Sequence, residues 1–181
     1  MITIYLTAIA IGIFIGYNIA TLVAFGLPCS LSYTYYQFEK VKKGGGKIFT
    51  AMMILVFGLL IYPWMSITTM ISSWSQYLTV LPFICCGCMM FVGIAPNIQQ
   101  SKRIEKIHII SAAIGAIAAL LWFCIVCWKI MYVFPIWVLI CGGIAHLTKT
   151  AKSCRDYWLE LTAFGTVFTA IIVEMILVYG S

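Results

Sequence analysis

The chain is 181 residues long, 64% hydrophobic and 9% charged, whereas soluble domains carry roughly 25% charged and 45–50% apolar residues. So few charges cannot cover a water-exposed surface, which excludes a soluble globule and points to lipid as the solvent. Eleven Lys and Arg against five Asp and Glu give a formal +6, in a membrane chain a question of topology before partners.

The N-terminus runs into apolar sequence with no Lys or Arg before it. A secretory signal needs a positive n-region, so residues 2–27 read as a retained span. Leu27-Pro28-Cys29 loosely resembles a lipoprotein cleavage site, but proline before the cysteine argues against processing. In residues 30–43, Leu31, Tyr35, Phe38 and Val41 recur at near-helical spacing with Ser30 as a candidate N-cap. That pattern predicts a short amphipathic helix on the inner leaflet. Lys42-Lys43-Gly44-Gly45-Gly46-Lys47 lacks the G-x-x-x-x-G-K-[ST] of a phosphate-binding loop and reads as a flexible basic turn.

Further apolar runs follow at about 48–66, 74–96, 107–128, 132–147 and 157–179. A helix needs about 20 residues to cross ~30 Å of hydrocarbon, so the fifth run is the short one. Charge placement retains it. Lys40, Lys42, Lys43 and Lys47 follow span one, Lys102, Arg103 and Lys106 follow span three, and Lys149, Lys152 and Arg155 follow span five. The alternate loops carry only Lys129. The positive-inside rule then predicts an all-α bundle of six spans in one domain, 1–181, with basic loops cytoplasmic and both termini outside. A multi-pass protein of the inner (plasma) membrane is the expected setting. Tyr62, Trp64, Trp74, Trp137 and Tyr179 would mark the outer interface, and Tyr33, Tyr35, Tyr36, Tyr157 and Trp158 the inner one.

Packing signals stand out. Ala8, Gly12, Gly16, Ala20 and Ala24 recur every four residues in span one, and Ser111, Gly115 and Ala119 do so in span four. Small-xxx-small rows let helices approach closely in lipid. They predict either mutual packing of spans one and four or, through span one, a homo-oligomer or contact with another membrane protein.

Chemical candidates are few. Cys85-Cys86-Gly87-Cys88 and Cys124-Ile125-Val126-Cys127 invite a thiolate metal site, but the helical rise puts Cys85 and Cys124 about 9 Å apart in depth. No metal and no cofactor are expected, and the eight cysteines read as packing residues. Glu174 is the deepest carboxylate and a functional hypothesis by default, with Lys129 as its expected partner. His108, His146, Asp156 and Glu160 sit at span ends without any H-x-x-x-H spacing. Glu160 and Glu174 share one face of span six, which allows a polar track between them.

Three stretches, Phe25-Gly26-Leu27-Pro28-Cys29-Ser30-Leu31-Ser32-Tyr33-Thr34-Tyr35-Tyr36, Phe91-Val92-Gly93-Ile94-Ala95-Pro96 and Lys106-Ile107-His108-Ile109-Ile110-Ser111-Ala112, together resemble a group of small uncharacterised polytopic membrane proteins of bacteria and bacteriophages. The resemblance implies a six-span fold, with the Ser30–Tyr36 segment, the turn after Pro96 and His108 forming one cytoplasmic-side cluster. It implies no activity.

The leading expectation is therefore a protein without enzymatic activity of its own, acting through helix contacts or through anionic headgroups held by Lys40, Lys42, Lys43 and Lys47. It would serve as an accessory, regulatory or envelope-modifying component, with membrane lipids as partners and no nucleic acid. A small carrier or channel using Glu174 and Lys129, with His108, His146 and Glu160 at the inner mouth, is the alternative. A lipid-modifying enzyme at His108 and His146 is the third.

Overall fold

The computed structural model describes residues 2–71, 74–95 and 102–180. Among them lie seven α-helices and no strand: α1 (Ile2–Phe25), α2 (Thr34–Val41), α3 (Lys47–Ile71), α4 (Val80–Ile94), α5 (Lys102–Val126), α6 (Val133–Leu147) and α7 (Arg155–Tyr179). Short 3-10 turns at Ser75–Leu78 and Trp128–Ile130 precede α4 and α6. With those turns counted, six helical segments are long and apolar enough to cross a membrane. The fifth becomes Trp128–Leu147, 20 residues, because the 3-10 turn at its start adds about 2 Å per residue.

Two span boundaries shift. The second helix runs on to Ile71 through Pro63, five residues past its predicted end. Proline removes one intrahelical hydrogen bond, but Trp64, just beyond it, is fully buried. Thr68 Oγ1 donates to the Trp64 carbonyl at 2.7 Å and accepts the Trp122 indole N–H at 2.8 Å. The fourth helix begins at Lys102, with its basic turn already helical. Pro96 and the turn after it lie outside the described residues.

α3 is the hub. It packs against α1 and α4 along most of its length, against α2 at one end and against α7 on the remaining side. Phe14, Phe57, Phe164 and Phe168 join α1, α3 and α7, with ring centroids 5.1–6.0 Å apart. Trp64 stands edge-on to Trp122 at 5.1 Å. Trp64 is thus a core residue rather than an interfacial one, and Tyr157 is likewise buried. α6 is peripheral and packs chiefly on α7, where Gly165 leaves room for the Trp137 ring.

The small-residue rows do not pack as mutual partners. α5 uses Gly115 against α4, where an added Cβ would lie 2.5 Å from Met89 Cε and 3.2 Å from Cys88 Cβ. α1 turns its other face inward, burying Thr7, Ala10, Phe14, Tyr17, Asn18 and Thr21. Ala8, Gly12, Gly16, Ala20 and Ala24 all face outward, and nothing lies within 4 Å of a Cβ built on Gly12 or Gly16. Smallness marks where a helix can be approached, not which helix approaches.

Candidate functional site

Long-range hydrogen bonds draw two connections together. The Leu31 backbone N–H donates to Glu160 Oε2 at 2.5 Å, the Tyr157 N–H to the Cys29 carbonyl at 3.0 Å, and the Tyr157 hydroxyl to Asn18 Oδ1 at 3.3 Å. Tyr17 and Thr34 hydroxyls are hydrogen-bonded to each other, and Thr34 also donates to the Leu31 carbonyl. The α1–α3 connection is therefore fastened to the start of α7. His108, near the start of α5, faces the same cavity as Ser32 and Glu160, so the three basic segments share one end of the bundle. Asn18, Tyr17 and Thr34 carry no charge. Asn18, the one amide in α1, is the only one of them that its span's composition could have singled out.

The helix expected over 30–43 is shorter than its spacing suggests. Ser30 Oγ accepts the Tyr33 N–H at 3.2 Å, but within a turn that precedes α2; the helix starts at Thr34 with Tyr33 at its N-cap and no side-chain cap bond. Its apolar side, however, meets protein: Leu31 is buried, and Phe38 contacts Phe25 at 4.9 Å and Tyr17 at 6.0 Å. Lys40, Lys42, Lys43 and Lys47 are all exposed. The glycine turn they flank is built rather than slack. Glu39 accepts the Gly44 N–H at 2.8 Å through Oε1 and the Gly46 N–H at 3.0 Å through Oε2. Gly44 has φ +84°, and a Cβ on Gly45 would sit 2.5 Å from the Phe38 carbonyl oxygen. Those two N–H bonds, with smaller help from Lys43 and Lys47, hold the Glu39 carboxyl below its ordinary range.

The five ionisable candidates separate into three places. His108 and Glu160 line a cavity of about 290 Å³ between α3, α4, α5 and α7. Glu174 and Lys129 line another, about 710 Å³, at the opposite end, with Met70, Trp74, Trp128 and Leu177. His146 is exposed at the end of α6. Buried Phe168 and Ile171 lie between Glu160 and Glu174 along α7, so the two carboxylates do not share a cavity. Glu174 is 6% exposed with the Cys127 thiol beside it. Lys129 instead holds its ammonium 5.9 Å from the Trp128 ring centroid. Among the described residues the only ion pair within 4.0 Å joins Arg155 and Asp156, so Lys129 and Glu174 are neighbours rather than a salt bridge.

The cysteines stay apart in depth. Cys85 and Cys88 pack at the level of Gly115, whereas Cys127 lies twelve residues further along the chain, about 18 Å at helical rise. Among the described residues no three His, Cys, Asp or Glu side chains converge on a metal-sized site. No protein family matches the chain, and comparisons with curated proteins and with solved structures find no match.

Proposed function

We propose that this chain is a multi-pass membrane protein that works by contact, docking another membrane helix on α1 and anionic headgroups at its lysine-rich end, with no catalysis of its own. The observation that carries this reading is the outward row Ala8, Gly12, Gly16, Ala20 and Ala24. In lipid, helix association draws on close van der Waals packing, which small residues permit, and here the bundle leaves that capacity unspent. The basic end supports the second half: Lys40, Lys42, Lys43 and Lys47 cluster around the glycine turn that Glu39 ties down. Each lysine near an anionic leaflet contributes about 1 kcal/mol, and the positive-inside bias supports a cytoplasmic setting for that end.

Single cysteines at positions 12 and 16, introduced into a chain lacking its own, test the contact in native membranes. The reading expects a specific cross-linked product from both positions and none from position 11 or 22, which lie off that row. Equal capture all round the helix overturns it.

A further inference from the structure

The cavity holding His108 and Glu160 has a polar end and an apolar shaft. Ser32, His108 and Glu160 close it at the basic end. Phe49, Met53, Phe57 and Met89 line its length, and Trp64 lies at its far end. Along α5 it extends from His108 to Ala119, eleven residues or about 16 Å of rise. At about 290 Å³ it is therefore narrow, one hydrocarbon chain wide. Water is a poor occupant of such a shaft, because a stable buried water needs two to four polar partners. The side between α5 and α7, which meet only sparsely, is lined by Ala116, Leu159 and Ala163, all exposed on the outer surface. An occupant would thus enter sideways from the bilayer.

The polar end specifies a headgroup. His108 Nδ1 is 2.8 Å from the Ala95 carbonyl oxygen. The Val92 carbonyl is a second backbone neighbour of the ring. Carbonyls only accept, so Nδ1, bonded to Ala95, carries the hydrogen, and in the neutral ring Nε2 is the acceptor nitrogen. Glu160 uses Oε2 for the Leu31 N–H, and Oε1 has no protein partner among the described residues. Two acceptors therefore line the cavity, and the Ser32 hydroxyl beside them, paired with Ser30 Oγ at 3.2 Å, can donate when it accepts from Ser30. An anionic headgroup would set charge against the carboxylate in a low dielectric, which is strongly unfavourable. A neutral headgroup with two hydroxyl donors and an ester acceptor satisfies all three. We infer that this cavity binds a single-chain, uncharged lipid with a vicinal diol, of the monoacylglycerol class. The chain lies along α5 and the glycerol hydroxyls donate to Glu160 and His108. This site is separate from the α1 face and does not depend on it.

The test uses the full-length protein in nanodiscs with a monoacylglycerol bearing a diazirine in its acyl chain. Photolabelling is expected on Met89, Gly115 and Ala119, suppressed by unlabelled monoacylglycerol and not by a fatty acid of equal length. Glu160→Gln can still accept the Leu31 N–H but exchanges the carboxylate's charge-assisted bond to the diol for a neutral one, so labelling falls about tenfold. Ala116→Trp, on an exposed helix face, blocks the side entrance and abolishes labelling while leaving thermal stability unchanged. Label confined to outward-facing residues, suppression by fatty acid as effective as by the diol, or full labelling of Glu160→Gln overturns the assignment.

Discussion

Replacing Gly93 with alanine tests whether the α3–α4 contact is as tight as described. An alanine Cβ there would lie 2.5 Å from Met53 Cβ and 3.1 Å from Met53 Cγ, against an optimum near 3.5–4.0 Å for carbon pairs. Met53 Cβ is fixed by its backbone and cannot swing away, so the helices must part by about 1 Å. Overpacking of this kind costs about 1–3 kcal/mol. Separation also stretches the bond from Thr50 Oγ1 to the Gly93 carbonyl, now 2.8 Å, and interhelical bonds in membranes average about 0.6 kcal/mol. Gly58→Ala is the control, since nothing lies within 4 Å of its added Cβ. Both changes exchange a helical glycine for alanine, so the propensity gain of about 1 kcal/mol cancels between them. Gly93→Ala should therefore be about 1.5–3.5 kcal/mol less stable than Gly58→Ala in reversible unfolding in mixed micelles. Equal stability of the two, within about 0.5 kcal/mol, would refute the packing argument.

Three further expectations follow from single features. Lys129→Met and Glu174→Gln should couple by no more than about 1 kcal/mol in a double-mutant cycle, because they are neighbours lining one cavity without an ion pair; a coupling of about 2 kcal/mol would restore the salt-bridge reading. The folded value of the Glu39 carboxyl lies below its free value of 4.5, so its contribution to the glycine turn is complete above about pH 4.5 and lost as pH falls through the folded value. The Gly44 and Gly46 amide resonances should accordingly shift only on acidification below that pH, and Glu39→Gln should remove the pH response. Cys29 is exposed at the basic end, so an impermeant maleimide should label it in inverted vesicles and not in right-side-out ones; the reverse pattern would invert the topology.

The spans were legible because twenty-residue apolar runs have one solution in lipid, helices with every backbone group paired internally. Basic residues falling in alternate connections made even the short fifth span readable. Helix ends were harder, since Ser66, Thr68 and Thr69 interrupt one apolar run and Lys102 to Lys106 is charged, yet both stretches continue the helix. The inward face of α1 is not singled out by sequence, because its small row and the face with Phe14, Tyr17, Asn18 and Thr21 both qualify for packing, and α3 takes the second. His108 and Glu160 were visible as span-end residues, but their meeting with Ser32 in one cavity joins positions 76 and 52 residues apart. That depends on how the α1–α3 connection folds back on α7, through a backbone N–H and a carboxylate that leave no periodicity to read. Glu39 escaped notice for a related reason: its role is to accept two backbone hydrogens of a turn that its composition alone presents as slack.

Whether α1 docks another chain is settled most directly by particle mass after detergent-free extraction into native nanodiscs. Wild-type protein should emerge with at least one further membrane-embedded chain attached, and Gly12→Leu/Gly16→Leu, substituted where nothing in the bundle is touched, should emerge alone with unchanged stability. Identical masses for the two, whether both single or both associated, would contradict the account.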